Sequence, residues 1–150
     1  MDVSFLIDPL RKTVTSVPDG YARAAELIGT DTASGSPLWS EATDPDASVE
    51  VITADDSLTN EPLSRGFFMV TLTRDGVPYE RLFAGKAILN AYGNPPSDIK
   101  DQVKTLKAAR ERVRFLGSED ALPWVRAARR WCPLQPRRVH GKLILNAEHF

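Results

Sequence analysis

Short alternating runs come first along this chain, and helical spacing comes later. Val3-Ser4-Phe5-Leu6-Ile7 and Thr13-Val14-Thr15-Ser16-Val17 are rich in β-branched and apolar residues. They predict two strands of a hairpin, the first ended by Asp8-Pro9. Asp19 is expected to cap a short helix through Ile28, with Tyr21, Ala24, Ala25 and Ile28 on one face. Gly29 supplies the left-handed stop. Residues 30–47 read as loop, with a short strand at Pro37-Leu38-Trp39. Ser48-Val49-Glu50-Val51-Ile52 alternates and predicts a strand, followed by a polar loop from Asp55 to Arg65. Phe67-Phe68-Met69-Val70-Thr71-Leu72 is an apolar strand that turns at Asp75-Gly76, a strong hairpin signal. The return runs through Val77-Pro78-Tyr79, where Pro78 predicts an edge strand or a bulge.

One heptapeptide is then used twice. Gly85-Lys86-Ala87-Ile88-Leu89-Asn90-Ala91 and Gly141-Lys142-Leu143-Ile144-Leu145-Asn146-Ala147 match at six of seven positions. In the first copy Ala87 and Leu89 point one way along a strand, and Lys86, Ile88 and Asn90 the other. Apolar residues on both faces predict an interior strand. Both copies are expected in one sheet. Between them Ile99, Val103, Leu106, Ala109, Val113 and Leu116 keep 3–4 spacing, predicting one long helix from Ser97 to its stop at Gly117. Asp120 opens a second helix, with Pro123 in its first turn. Trp124, Val125, Ala128 and Trp131 form its apolar stripe, and Pro133 and Pro136 end it. Arg137-Arg138-Val139-His140 links it to the second copy. Strands first and helices later predict a single α+β domain over residues 1–150. It has a largely antiparallel sheet, two C-terminal helices packed on that sheet, and a terminal strand.

Composition narrows the class. The chain has 150 residues, 42% hydrophobic and 26% charged, enough for a real core and ordinary for a globular protein. No apolar run approaches the ~20 residues of a membrane span. The acidic Met1-Asp2-Val3-Ser4 start is unlike a signal peptide. With one cysteine, Cys132, an internal disulfide is impossible, and a cytoplasmic location is expected. The net charge of −1 hides an asymmetry. Residues 1–97 carry 7 Lys/Arg against 14 Asp/Glu, a net of −7, and residues 98–150 carry 12 against 6, a net of +6. Such a split marks either an acidic-partner or nucleic-acid surface, or two halves that face and neutralise each other.

The candidate chemistry is thin. Asp55-Asp56, with Asn60 and Glu61 nearby, offers oxygen ligands for a divalent cation, but the spacing matches no metal loop, and turn or cap roles suit these residues as well. Cys132 and His140 lack the further soft ligands of a zinc site and read better as a small buried thiol and a link residue. Gly85-Lys86 is not a phosphate loop: the glycine run is missing and a strand follows. Lys86 and Lys142 read as strand lysines reaching solvent. The strongest constellation is basic. Arg126, Arg129 and Arg130 crowd the second helix and Arg137 and Arg138 follow; Lys100, Lys104, Lys107 and Arg114 form another stripe. Arginine suits bidentate contact with carboxylate or phosphate, and Trp131 would stack a base. A solvated helix face with Trp124 and Trp131 in the core explains the same residues. No named nucleic-acid motif is present.

Phe5-Leu6-Ile7-Asp8-Pro9, Thr13-Val14-Thr15 and Ala25-Glu26-Leu27-Ile28-Gly29 occur in order with Asp55-Asp56, Phe83-Ala84-Gly85-Lys86-Ala87-Ile88-Leu89 and Val113-Arg114-Phe115-Leu116. Together they resemble a family of small proteins of unknown function carried by phages, plasmids and integrated elements. The resemblance covers roughly residues 3–117 and leaves the tail from Glu119 unmatched. Its motifs are structural, so it brings no catalytic residues. It implies an accessory gene of a mobile element and, by association, interference with host defence. The expectation is a protein that acts by binding, with no cofactor, no metal and no catalytic residue. It would block or sequester a host component through Arg126, Arg129, Arg130, Arg137 and Arg138. The partner stays open between an acidic protein surface, a small signalling molecule and nucleic acid. The alternatives are a nucleic-acid-binding regulator using the same arginines and a small metal-dependent enzyme using Asp55 and Asp56.

Overall fold

Every strand pairing among the described residues is antiparallel. The computed structural model describes residues 3–41, 43–44, 46–55, 57, 65–108, 111–131, 137–139 and 142–144. For 124–125, 127–131, 137–139 and 142–144 it describes the backbone alone. The strands are β1 (Val3–Asp8), β2 (Thr13–Ser16), β3 (Ala33–Ser40), β4 (Ser48–Ala54), β5 (Phe67–Arg74), β6 (Val77–Ala84), β7 (Ala87–Tyr92), β8 (Val113–Leu116), β9 (Arg137–Val139) and β10 (Lys142–Ile144). The helices are α1 (Ala24–Ile28), α2 (Ser97–Lys104) and α3 (Ser118–Trp131). A five-stranded sheet has the order β2-β1-β7-β4-β3 and a three-stranded sheet the order β6-β5-β8. The protein is an α+β domain built mainly of antiparallel sheet.

Alternation along the strands builds the core. Phe5, Ile7, Val49, Val51, Ala87 and Leu89 project from one face of the larger sheet. Phe68, Val70, Leu72 and Phe83 project from the smaller sheet into the same cluster, with Phe68 stacked on Phe83 at 5.4 Å. Ile99, Val103 and Leu106 of α2 and its following turn join them. Burying each such side chain contributes about 1.5–3 kcal/mol. Behind the larger sheet Ile52, Ile88 and Ala24 make a second cluster under α1, and behind the smaller sheet Phe67 and Ala84 pack on Ala121 of α3.

The β1–β2 hairpin forms as its pattern predicts, with Leu6 opposite Thr15. The β5–β6 hairpin turns at Asp75 (φ 52) and Gly76 (φ 76), and Pro78 lies on the edge strand β6. Gly29 ends α1 at φ 81, its N–H donating to Ala25 O at 2.9 Å. Asp19 does not cap that helix. It is itself left-handed, and its carbonyl accepts from the Arg23 N–H at 3.0 Å, a turn before the helix starts at Ala24.

Three further expectations are corrected. Residues 30–47 are not loop around a short strand at Pro37-Leu38-Trp39: Ala33–Ser40 is the eight-residue strand β3, its Ser- and Gly-rich start drawn into the ladder by the free edge of β4. The long helix stops at Lys104, capped by Thr105, and Val113–Leu116 is strand β8 on the edge of β5. Val113-Arg114-Phe115-Leu116 keeps helical spacing with α2, but it is β-branched and aromatic, and β5 offers it an unpaired edge; tertiary pairing wins over local spacing. The two repeat copies do not share a sheet. The first is β7, central between β1 and β4, while β10 of the second pairs with β9 in a separate two-stranded sheet. Both edges of β7 are already occupied, and β9 is the sequence neighbour with which β10 closes a local hairpin.

A basic seam as the candidate functional site

The two sheets leave an open side where edge strand β2 of one and edge strand β8 of the other come near the end of α2. Asp8 shapes the β2 side. Its carboxylate accepts the N–H groups of Leu10 at 3.1 Å and Arg11 at 3.2 Å, which turns the chain back and leaves Lys12 left-handed (φ 56) ahead of β2. On the other side Arg112 donates through Nη1 to Gln102 O at 2.9 Å and to Thr105 Oγ1. This fastens the C-terminal turn of α2 to the start of β8, a placement that also suits the negative end of the helix. Lys107 and Leu106 follow that turn, Leu106 buried and Lys107 exposed.

These elements enclose an open groove of about 550 Å³ lined by Lys12, Val14, Leu106, Lys107, Val113, Arg114 and Phe115. Three cations and four apolar side chains line it, and no carboxylate among the described residues does. Lys12 and Lys107 make no ion pair with any described residue. Arg114 lies 3.7 Å from Glu80 and donates to Met69 Sδ at 3.0 Å, and the Thr71 hydroxyl holds Glu80 at 2.8 Å. Half of the Arg114 side chain stays exposed at 51%.

Of the basic residues singled out in the sequence, Lys107 and Arg114 meet here, although from two elements rather than one helix. Lys12 had no sequence signal, because it sits about a hundred residues away and reaches the groove only through the β1–β2 hairpin. Arg126 is exposed on α3. Arg129 and Arg130 fall in α3 and Arg137 and Arg138 in β9, their side chains outside the described residues. The Trp124 and Trp131 side chains, Asp56, Asn60, Glu61, Cys132, His140 and His149 also lie outside the described residues. Asp55 is exposed just past β4, its N–H donating to Thr32 O at 3.1 Å, a turn role. Among the described residues no three His, Cys, Asp or Glu side chains come together as a metal site.

Gly85 and Lys86 precede β7 rather than lying in it, and with Arg65, Gly29 and Thr30 they line a second cavity of about 350 Å³. A polar cluster that the sequence did not reveal lies on the α1 side of the larger sheet. Ser4 Oγ donates to Asn90 Oδ1, both residues buried. Among the described residues no partner meets hydrogen-bond geometry at buried Asn90 Nδ2 or at the Tyr92 hydroxyl, although Asn90 and Glu50 both approach the phenol. Burial, and then the nearby Glu50 carboxylate, push the Tyr92 phenol well above its ordinary pKa. Tyr21 packs edge-on against the Tyr92 ring at 5.4 Å.

Comparison with protein-family models, with curated proteins and with solved structures finds no match to this chain. Among the described residues no helix is long and apolar enough to cross a membrane.

Proposed function

We propose that the protein acts by binding an acidic partner in the seam between β2 and β8. The observation that carries this reading is the convergence of Lys12, Lys107 and Arg114 on one groove that no carboxylate of the described residues lines. Two of the three have no ion-pair partner among the described residues, so they are not held there by internal salt bridges. Cations gathered over an apolar floor favour an anionic ligand with apolar groups of its own. The surroundings favour a short one. Three cations line the groove among the described residues, whereas a long nucleic acid, with one charge per ~1.7 Å of duplex, calls for a longer basic track. Taken with the resemblance to mobile-element proteins, the partner is an acidic segment of a host component that the protein blocks or sequesters, a defence protein among them.

A fluorescein-labelled peptide of alternating Glu and Val is the probe, with its Gln-and-Val counterpart and a single-stranded oligonucleotide as controls. Polarisation should show binding of the Glu peptide alone, weakening about tenfold or more as salt is raised. It should be lost in Lys107→Glu/Arg114→Glu. Equal binding of the Gln peptide would remove the electrostatic basis of the proposal, and preferential binding of the oligonucleotide would replace it with nucleic-acid recognition.

A further inference from the structure

We infer that the acidic partner enters the seam as an extended strand added to the free edge of β8. This rests on the reading of the seam as a site for an acidic partner and specifies how that partner is held. Hydrogen-bond alternation along the β5–β8 pair fixes which backbone groups are free. The Thr71 N–H donates to Arg112 O at 2.9 Å, so 71 and 112 are a hydrogen-bonded pair. In an antiparallel ladder such pairs recur every second residue, which places the others at Met69–Arg114 and Phe67–Leu116. Val113 and Phe115 therefore turn their N–H and C=O groups away from β5. Among the described residues β8 is the last strand of its sheet, so those groups face the open side, and both residues line the groove. An unpaired row of this kind is a template for another strand.

The chemistry of the walls selects the strand. Side chains of an added strand alternate between the two faces of the sheet. On the inner face they meet Leu106, Val113 and Phe115; on the outer face they meet Arg114. Every second residue is thus apolar and the intervening ones acidic, with Lys12 and Lys107 adding to the positive field along the groove. On this side of the smaller sheet, the edge of β5 beyond β8 is closed at Thr73. Beyond β8 the Gln102 amide accepts the Thr73 N–H at 2.8 Å and donates to Thr73 O at 2.7 Å, taking both groups that a longer strand would use. A partner strand is thereby confined to the stretch beside Val113–Leu116.

Amide hydrogen exchange of the full chain with and without the Glu/Val peptide tests the inference. Exchange at Val113 and Phe115 should slow about tenfold or more with peptide bound. N-methylation of one alternate set of peptide amides should abolish binding, because only one set faces β8, while methylation of the other set should spare it. Unchanged exchange at Val113 and Phe115 with the peptide bound would overturn strand addition and leave the anionic site standing. Slowing at Val14 and Ser16 instead, the free edge of β2, would overturn the assignment to β8. Failure of the unmodified peptide to bind would remove the underlying reading as well.

Discussion

Tyr92 and Asn90 place two polar atoms out of reach of solvent without a well-formed hydrogen bond among the described residues, an arrangement in which the usual sign of a substitution reverses. Removing a tyrosine hydroxyl ordinarily loses a hydrogen bond. Here it removes a desolvated group whose approaches to Asn90 and Glu50 fall short of hydrogen-bond geometry. Tyr92→Phe should therefore leave stability unchanged or raise it by up to about 1 kcal/mol, whereas loss of a satisfied hydroxyl would cost about that much. Urea unfolding midpoints measure this directly. The same phenol sets a pH dependence. Its folded pKa lies above the value near 10 expected in the unfolded chain, so below about pH 10 both states are protonated and nothing is lost. As the pH rises further, the unfolded state releases the proton and the folded state resists, and stability falls. Tyr92→Phe should flatten that alkaline decline; an identical decline in both proteins would assign it to another group. Glycines supply a second contrast at this scale. Gly29 (φ 81) has open space where a Cβ would go, so Gly29→Ala should cost about 1–2 kcal/mol from backbone conformation alone. At Gly93 (φ 65) that Cβ would lie 2.5 Å from the carbonyl oxygen of Asp46, and Gly93→Ala should cost about 3 kcal/mol or more, because backbone must move.

Elements were legible in the sequence where local pattern and tertiary role agree. Asp75-Gly76 and Gly29 needed positive φ and obtained it, and the two-sided apolar run of the first repeat copy is the central strand β7. The boundary between α2 and β8 was not legible, because Ile99, Val103, Leu106, Val113 and Leu116 fit one helical stripe. Only β5, some forty residues upstream, decides that Val113–Leu116 is extended. The seam was hidden for the same reason, since its residues come from a hairpin tip, a helix end and that reassigned strand. Gln102 shows how such an edge is managed. Its side chain stands in for a missing neighbour strand at Thr73, so Gln102→Ala should cost about 1 kcal/mol in urea unfolding for these exposed bonds. It should also lengthen the free edge of β5, raising self-association measured by sedimentation. A variant that stays as stable and as monomeric as the parent would show that the two bonds contribute nothing.

Across the whole molecule, two basic surfaces compete as contact sites, and charge reversal separates them. Lys12, Lys107 and Arg114 line the seam, while Arg126, Arg129, Arg130, Arg137 and Arg138 belong to α3 and β9. Exposed charges contribute little to stability, about 0–1 kcal/mol per pair, so reversal of exposed Lys107 and Arg114 should not unfold the protein by circular dichroism. The effects of the two reversals on binding differ in kind. Groups that line a groove hold the ligand once it has arrived, and their reversal raises the dissociation rate. Cations outside the groove draw the ligand in, and their reversal lowers the association rate in a manner that salt screens. With the Glu/Val peptide, the three glutamates in the seam should abolish binding at every salt concentration. The five glutamates in the arginine set should slow association at low salt and leave dissociation unchanged. If the arginine reversal alone accelerates dissociation, the contact surface lies on α3 and β9, and the seam is left as a feature of the fold.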